Sequence, residues 1–255
     1  MKKILPSTLF FITIILLNAC KKDSNSTTQP NLANKVKSYT EDYRSVGMTP
    51  VVVTFNLAYD GNNRVTSLIS AASSGDKFLL AYPSKGKISM DVFGSNILTL
   101  HEESYINNNG FLDSTFQYND TQDTTTEKYI YNTANQLISL KEYDYSAITG
   151  VKLYNTTTST YNSDGDLIST TDTDNNKNDF EYDTNLSYVS PVVFGLVNPN
   201  AGKKFHLLKK QTQTSNGYSD GSIDYVYTFD GNDRISTEKA TGSDGTISIK
   251  TYTYF

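Results

Sequence analysis

From Val36 onward apolar and polar residues alternate with a period of two, and no window carries a convincing 3.6-residue stripe. In Val51–Asp60 the set Val53, Phe55, Leu57, Tyr59 shares one face, while Thr54, Asn56 and Asp60 fall on the other. That is the pattern of a half-buried strand. An aromatic residue, a polar turn and an aliphatic residue six positions on then recur: Tyr59 to Val65, Tyr82 to Ile88, Tyr131 to Leu137, Tyr161 to Leu167 and Phe229 to Ile235. Tyr105 to Leu112 is a looser copy with seven, and Tyr182-Asp183 starts a copy that lacks its glycine. Asx-Gly pairs punctuate the runs at 60–61, 109–110, 164–165, 220–221, 230–231 and 244–245. Gly61 is expected to supply the positive φ of a tight hairpin, with Val65 restarting a strand whose Ser67 and Ile69 follow on its face.

Successive copies stand 23, 23, 26 and 30 residues apart from Tyr59 to Tyr161, room for two strands and two turns each. The unit is a hairpin, and the chain reads as an all-β antiparallel meander. Six or seven hairpins exceed the roughly ten strands an open twisted sheet sustains, so the sheet is expected to curl into a barrel-like or strongly bent form. Ser190–Gly202, apolar and interrupted, reads as a loop packed over an edge or end. A lipid-embedded barrel is the rival architecture, and the chain does end on Phe255. The residues sharing its parity, Thr253, Thr251, Ile249 and Ile247, make a weak lipid-facing row, and other strands carry Thr, Ser, Asn and Asp outward. A soluble sheet is the expectation.

The first residues change the picture of cellular address. Lys2-Lys3, the apolar run Leu5–Leu17 and the approach Leu17-Asn18-Ala19 form a secretory signal over residues 1–19. Leu16-Leu17-Asn18-Ala19-Cys20 resembles the lipobox of bacterial lipoproteins, which implies that Cys20 is lipidated and becomes the first mature residue. As the sole cysteine it leaves no disulfide, so stability must come from sheet packing. Residues 20–35 read as a flexible polar stalk, and residues 36–255 as one all-β repeat domain. By resemblance, Lys21 after the cysteine implies the outer membrane, with the periplasmic side and the cell surface both open.

Composition narrows the class further. With 37% apolar residues, no Trp and 19 Tyr, burial must rest on amphipathic rings and β-branched side chains in thin layers. Net charge falls from −5 to −7 once Lys2 and Lys3 leave with the signal, which speaks against nucleic acid as a partner.

The units Tyr59-Asp60-Gly61-Asn62-Asn63-Arg64-Val65, Tyr161–Leu167 and Phe229–Ile235 look like the tyrosine–aspartate (YD) repeats of large bacterial shell proteins. With the lipobox and the length, the chain resembles a Bacteroidota-type lipoprotein family of unknown function with YD-like repeats. That resemblance covers most of residues 51–255 and implies a porin-like fold; it is silent on activity.

Candidate chemistry is sparse. Gly217-Tyr218-Ser219-Asp220-Gly221 matches a nucleophile-elbow pattern, but His101 and His206 both precede Ser219 and a strand rather than a helix follows, so a polar hairpin turn is the reading. The histidines lack ligand spacing. Asp172, Asp174, Asn176 and Asn178 alternate like the first half of a calcium loop, but Lys177 stands where glycine is needed and Asp183 where glutamate is. They are retained only as a weak calcium candidate, and no cofactor is expected. Tyr143, Tyr145, Tyr225 and Tyr227 could stack on sugar faces, or pack across strands. The expectation is a non-catalytic, lipid-anchored envelope protein with a binding or scaffolding surface, attached to the membrane through Cys20 and meeting a glycan or another envelope protein. Two alternatives stand beside it: a polysaccharide-acting enzyme using acids among Glu102, Glu103, Glu127 and Glu142, and a lipid or lipoprotein carrier with an apolar interior.

Overall fold

In the computed structural model, the structure describes residues 35–72, 75–119, 124–146, 150–188 and 205–255. The leader, Cys20, most of the stalk and the loop read at 190–202 lie outside these residues. Sixteen strands run in antiparallel order and close into a barrel, each beside its sequence neighbours, with β1 (Val36–Arg44) zipped to β16 (Ile247–Tyr254). Among the described residues there is no helix. The sheet takes the barrel form expected of it, with eight hairpins in place of six or seven, and among the described residues closure leaves no exposed edge.

One local device is repeated between strands. Asp60 Oδ1 accepts backbone N–H bonds from Asn62 and Arg64, both 2.9 Å, while the Asn63 N–H donates to the Asp60 carbonyl. Asn107, Asn132, Asn162, Asp172 and Asp230 do the same two and four residues on. The residue three places after each Asx takes positive φ: Asn63 (62°), Gly110 (87°), Asn135 (64°), Gly165 (93°), Asn175 (60°) and Asp233 (57°). Short Asx side chains and glycine tolerate that region at least cost. The left-handed duty expected of Gly61 therefore belongs to Asn63, and at Asp230-Gly231 it belongs to Asp233. The turn between β13 (Phe205–Ser215) and β14 (Tyr218–Phe229) is made by Asn216-Gly217, both at positive φ, a pair the repeat pattern passed over. Gly221 is no turn residue: it lies inside β14 (Tyr218–Phe229) opposite Gln213.

The same turns correct the parity of the strands that follow. A register shift between Ala58 and Tyr59 flips β3 (Val65–Ser70), so Val65, Leu68 and Ser70 face inward and are buried, while Ile69 is exposed on the outside beside Ser67. In the third hairpin connection of this kind, Ile106 rather than Tyr105 pairs with Leu112, which restores the spacing of six; Tyr105 points outward to Glu103. No turn forms at Asp183, because β12 (Lys177–Tyr188) runs on through it.

Inside, the repeat tyrosines lock each unit to the one before. Hydroxyls of Tyr59, Tyr82, Tyr161, Tyr182 and Tyr254 donate to the carbonyls of Val36, Val65, Leu137, Leu167 and Ile235, at 2.7 to 2.9 Å. A ring thus buries its body against the preceding aliphatic side chain and satisfies its polar tip on that residue's backbone. Arg64 and Arg234, each paired with the carboxylate that opens its turn, lie 4.0 and 4.1 Å from the rings of Tyr82 and Tyr254. Val36, Tyr39, Leu57, Val65, Leu68, Leu80 and Ile88 form the main core on the walls from β1 to β5 (Lys87–Gly94).

Candidate functional site: the barrel interior and its open end

The inward row changes character around the barrel. On β1 to β5 it is mainly apolar and aromatic, with Tyr39 stacked on Phe55 at 5.4 Å and Phe55 meeting Phe78 edge-on at 5.8 Å. From β6 (Ile97–Ile106) to β10 (Gly150–Tyr161) it is polar. Ladder register carries Glu102 next to Gln117, Thr115 next to Glu127, Glu127 opposite Glu142, and Glu142 next to Asn155. Among the described residues each strand approaches only its two ladder neighbours, so the space between opposite walls belongs to side chains.

Three of the four glutamates singled out as acids are brought together here, and one is not. Glu102, buried, accepts from Ser104 Oγ and Gln117 Nε2, each at 3.0 Å. Glu127 accepts from Thr115 Oγ1 at 2.8 Å and from the Tyr129 hydroxyl; Glu142 accepts from Asn155 Nδ2 at 2.7 Å. Burial pushes the Glu102 carboxyl above its ordinary range, against the bonds from Ser104 and Gln117, and the charge of Glu127 adds to the rise. Burial likewise raises Glu142, offset by Asn155 and reinforced by Glu127, Asp144 and Asp172. Tyr129 is raised by burial first and by Glu127 second. Glu103 faces outward, where Lys87 at 2.6 Å and the Tyr105 hydroxyl hold its carboxyl below the usual range.

The other candidates are dispersed. Asp172 spends one oxygen on the backbone of its own turn and the other on Asn176, while Asn178 faces the lumen, bonded to Thr170 and Gln211. Asp174 is exposed at the turn, and among the described residues no group of three His, Cys, Asp or Glu could hold a metal ion. Tyr143 and Tyr145 lie on the outer face, whereas Tyr225 and Tyr227 share the inner one, so the four make no common platform. Tyr225 donates to Gln211 instead. Ser219 is exposed at the start of β14, just past a two-residue hairpin turn. His101 is bonded to Asp91 on the outside; His206 meets the buried Asp166 at 2.8 Å, a bond that raises the imidazole.

Sequence reasoning missed the partners Gln117, Thr115 and Asn155, because only register shows which polar residues sit beside which acid. It also missed a cavity of about 310 Å³ at the end of the barrel away from Lys35, between β1 and β13–β16. Tyr43, Gln213, Asp220 and Asp244 line it, over a floor of Gly221, Ala240 and Gly242.

Two solved structures share this architecture. A porin-like protein from Bacteroides uniformis superposes with a TM-score of 0.59 at 13% identity, over 86% of this chain and 98% of that one. A porin-like protein from Bacteroides vulgatus does so with a TM-score of 0.53 at 13% identity, over 87% of this chain and 99% of that one. No protein-family model matches the chain, and no curated protein matches it. At such identity the likeness is one of fold.

Proposed function

We propose that the chain is a non-catalytic envelope lipoprotein, held at the outer membrane by acyl chains on Cys20, whose barrel stands in water as a binding body. The observation that carries this reading is the outer face. Glu181, Lys210 and Asp224 lie side by side across three strands there, and Lys128 faces Lys141 directly. Each lysine at a bilayer midplane would cost about 2–4 kcal/mol. An anchor is then needed to keep the protein at a membrane, and the lipobox-like sequence before Cys20 supplies one; the YD-like repeats and the porin-like fold of the two Bacteroides structures accord with an envelope setting.

The enzyme alternative draws on the raised carboxyl of Glu102 beside Glu127. Against it, Glu102, Glu127 and Glu142 each already hold donors from their own wall, and none lines the cavity at the open end. The carrier alternative needs a continuous apolar interior, which the acidic walls of β6–β10 interrupt.

Alkaline carbonate extraction of membranes tests the reading. Wild type should stay in the pellet and Cys20→Ala should pass to the supernatant. A Cys20→Ala protein that remains in the pellet would mean that the barrel itself is embedded, and the reading would fall.

A further inference from the structure

The two ends of the barrel are built differently. Five of the Asx turns, at 60–64, 107–111, 132–136, 162–166 and 230–234, gather at the end where Lys35 and Phe255 meet, and the repeat tyrosines pack beneath them. At the opposite end the inward row of β14–β16 loses its bulk. Gly221 faces Gln213, Gly242 faces Ile223, and Ala240 faces Tyr225 and Ser248, where comparable inward positions elsewhere carry Phe, Tyr or Glu. The cavity of about 310 Å³ occupies that space.

The glycines do more than leave room. A Cβ on Gly221 would come within 2.5 Å of Ser243 Oγ, and one on Gly242 within 2.5 Å of Asp244 Oδ1. The turn 243–246 can lean its hydroxyl and carboxylate over the cavity wall only because those two positions have no side chain. Gly221, at φ 125°, also holds a conformation that L side chains rarely adopt.

The lining selects a ligand class. It contains no Lys or Arg and two aspartates, so an anion is disfavoured. Neither aspartate is bare: Ser215 Oγ donates to Asp220 Oδ2, and Thr246 engages both oxygens of Asp244. They retain lone pairs for hydroxyl donors while lacking the converging oxygens a metal ion needs. Ser243 Oγ accepts from the Ser222 N–H and keeps its own proton to donate. Tyr43, 38% exposed, offers a ring beside these groups, and Ile223 adds apolar surface. An aromatic face with neutral donors and carboxylate acceptors, in a volume at the lower end of the ~300–1,000 Å³ typical of small-molecule sites, suits one or two pyranose rings.

We propose that this open end binds a neutral mono- or disaccharide, with the Tyr43 ring against a sugar face and Gln213, Asp220 and Ser243 taking its hydroxyls. The proposal rests on the reading of the barrel as a binding body and places its site at the end away from the residues leading to the anchor.

Isothermal titration of the full chain with maltose, cellobiose and N,N′-diacetylchitobiose tests it, with a galacturonate disaccharide as the charged arm. At least one neutral sugar should bind and the uronate should not. Tyr43→Ala should weaken binding about tenfold, the scale of one lost aromatic contact, while Tyr43→Phe should keep it. Ala240→Leu, which fills the floor without demanding a new backbone angle, should abolish it; unchanged circular dichroism and melting would show both variants folded. Absence of binding by all three neutral sugars would overturn the proposal, as would equal binding of the uronate or affinity that survives both Tyr43→Ala and Ala240→Leu. Carbonate extraction involves no sugar, so this outcome and the failure of the anchored-barrel reading are told apart.

Discussion

Replacing Tyr82 by Phe isolates the repeated interlock, because the ring stays and only the hydroxyl goes. The lost bond, 2.9 Å to the carbonyl of Val65, ends on a residue with no exposed surface. A net hydrogen bond contributes about 0.5–1.5 kcal/mol, and stranding a buried acceptor costs about 1–3 kcal/mol, so a loss of about 1–2 kcal/mol is expected after partial relaxation. The contact of Arg64 with the ring, at 4.0 Å, should survive the change. For a domain of this size each kcal/mol moves Tm by about 2–4 °C, giving a fall of about 2–8 °C in calorimetry and a lower urea midpoint with unchanged slope. Tyr161→Phe should behave alike, whereas Tyr105→Phe, whose hydroxyl serves the outward Glu103 already paired with Lys87, should shift Tm by less than about 2 °C. The chain makes the same experiment once itself, since the repeat position in the seventh hairpin is Phe229. If Tyr82→Phe and Tyr161→Phe both melt within about 1 °C of wild type, water is serving those carbonyls and the interlock contributes nothing.

Two further outcomes follow from the turns and the acidic wall. Gly165→Ala should cost about 1 kcal/mol because Gly165 sits at φ 93°, whereas Gly61→Ala, with ordinary φ and open space around it, should be neutral or stabilising by up to about 1 kcal/mol; paired urea melts decide, and equal losses would refute the assignment of the left-handed position. Glu102 is raised by burial, so the native state binds more protons than the unfolded chain above the unfolded carboxyl range and stability declines as pH climbs through the native pKa. Glu102→Gln should therefore flatten the decline in stability that follows as pH rises above the ordinary carboxyl range; an unaltered profile would show that burial of this carboxyl does not couple its proton to folding.

The local device was legible and its phase was not. Spacing of six from Tyr59, Tyr131, Tyr161 and Phe229 marks the hairpins because the five-residue turn between aromatic and aliphatic residue is fixed by an Asx side chain bonding two backbone amides, whereas Tyr82 to Ile88 crosses a two-residue turn at Lys85-Gly86. Glycine, the more conspicuous signal, misled where it sits second in the turn, as at Gly61, since Asn63 can carry positive φ as well. The residue inserted in the strand just after the turn, Thr66, also reverses which alternate positions face inward, so Ile69 lies outside while Leu68 is core. Tyr105 drew attention by being aromatic, yet Ile106 holds its place. Glu102, Glu127 and Glu142 were visible as acids, but their gathering depends on register over three hairpins, and the open end arises from residues that are small rather than from any that are chemically vivid. In the calcium-like run of residues 172–178, Asp172 is another copy of the turn, recognisable once the Asx role is known.

The ladder between β1 and β16 has a consequence for assembly. Fifteen of the sixteen ladders join consecutive strands, most through short turns, and can zip as hairpins while the chain is still emerging. The sixteenth joins residues more than two hundred positions apart, such as Ser38 and Thr253, and is reached only when the last strand is available. Its loop-closure entropy grows slowly with chain length, but it is met all at once, by a sheet otherwise complete. Folding should thus end in the shutting of a seam, and the same seam, where the barrel begins at Val36 and ends at Tyr254, is where a strained barrel would first unzip.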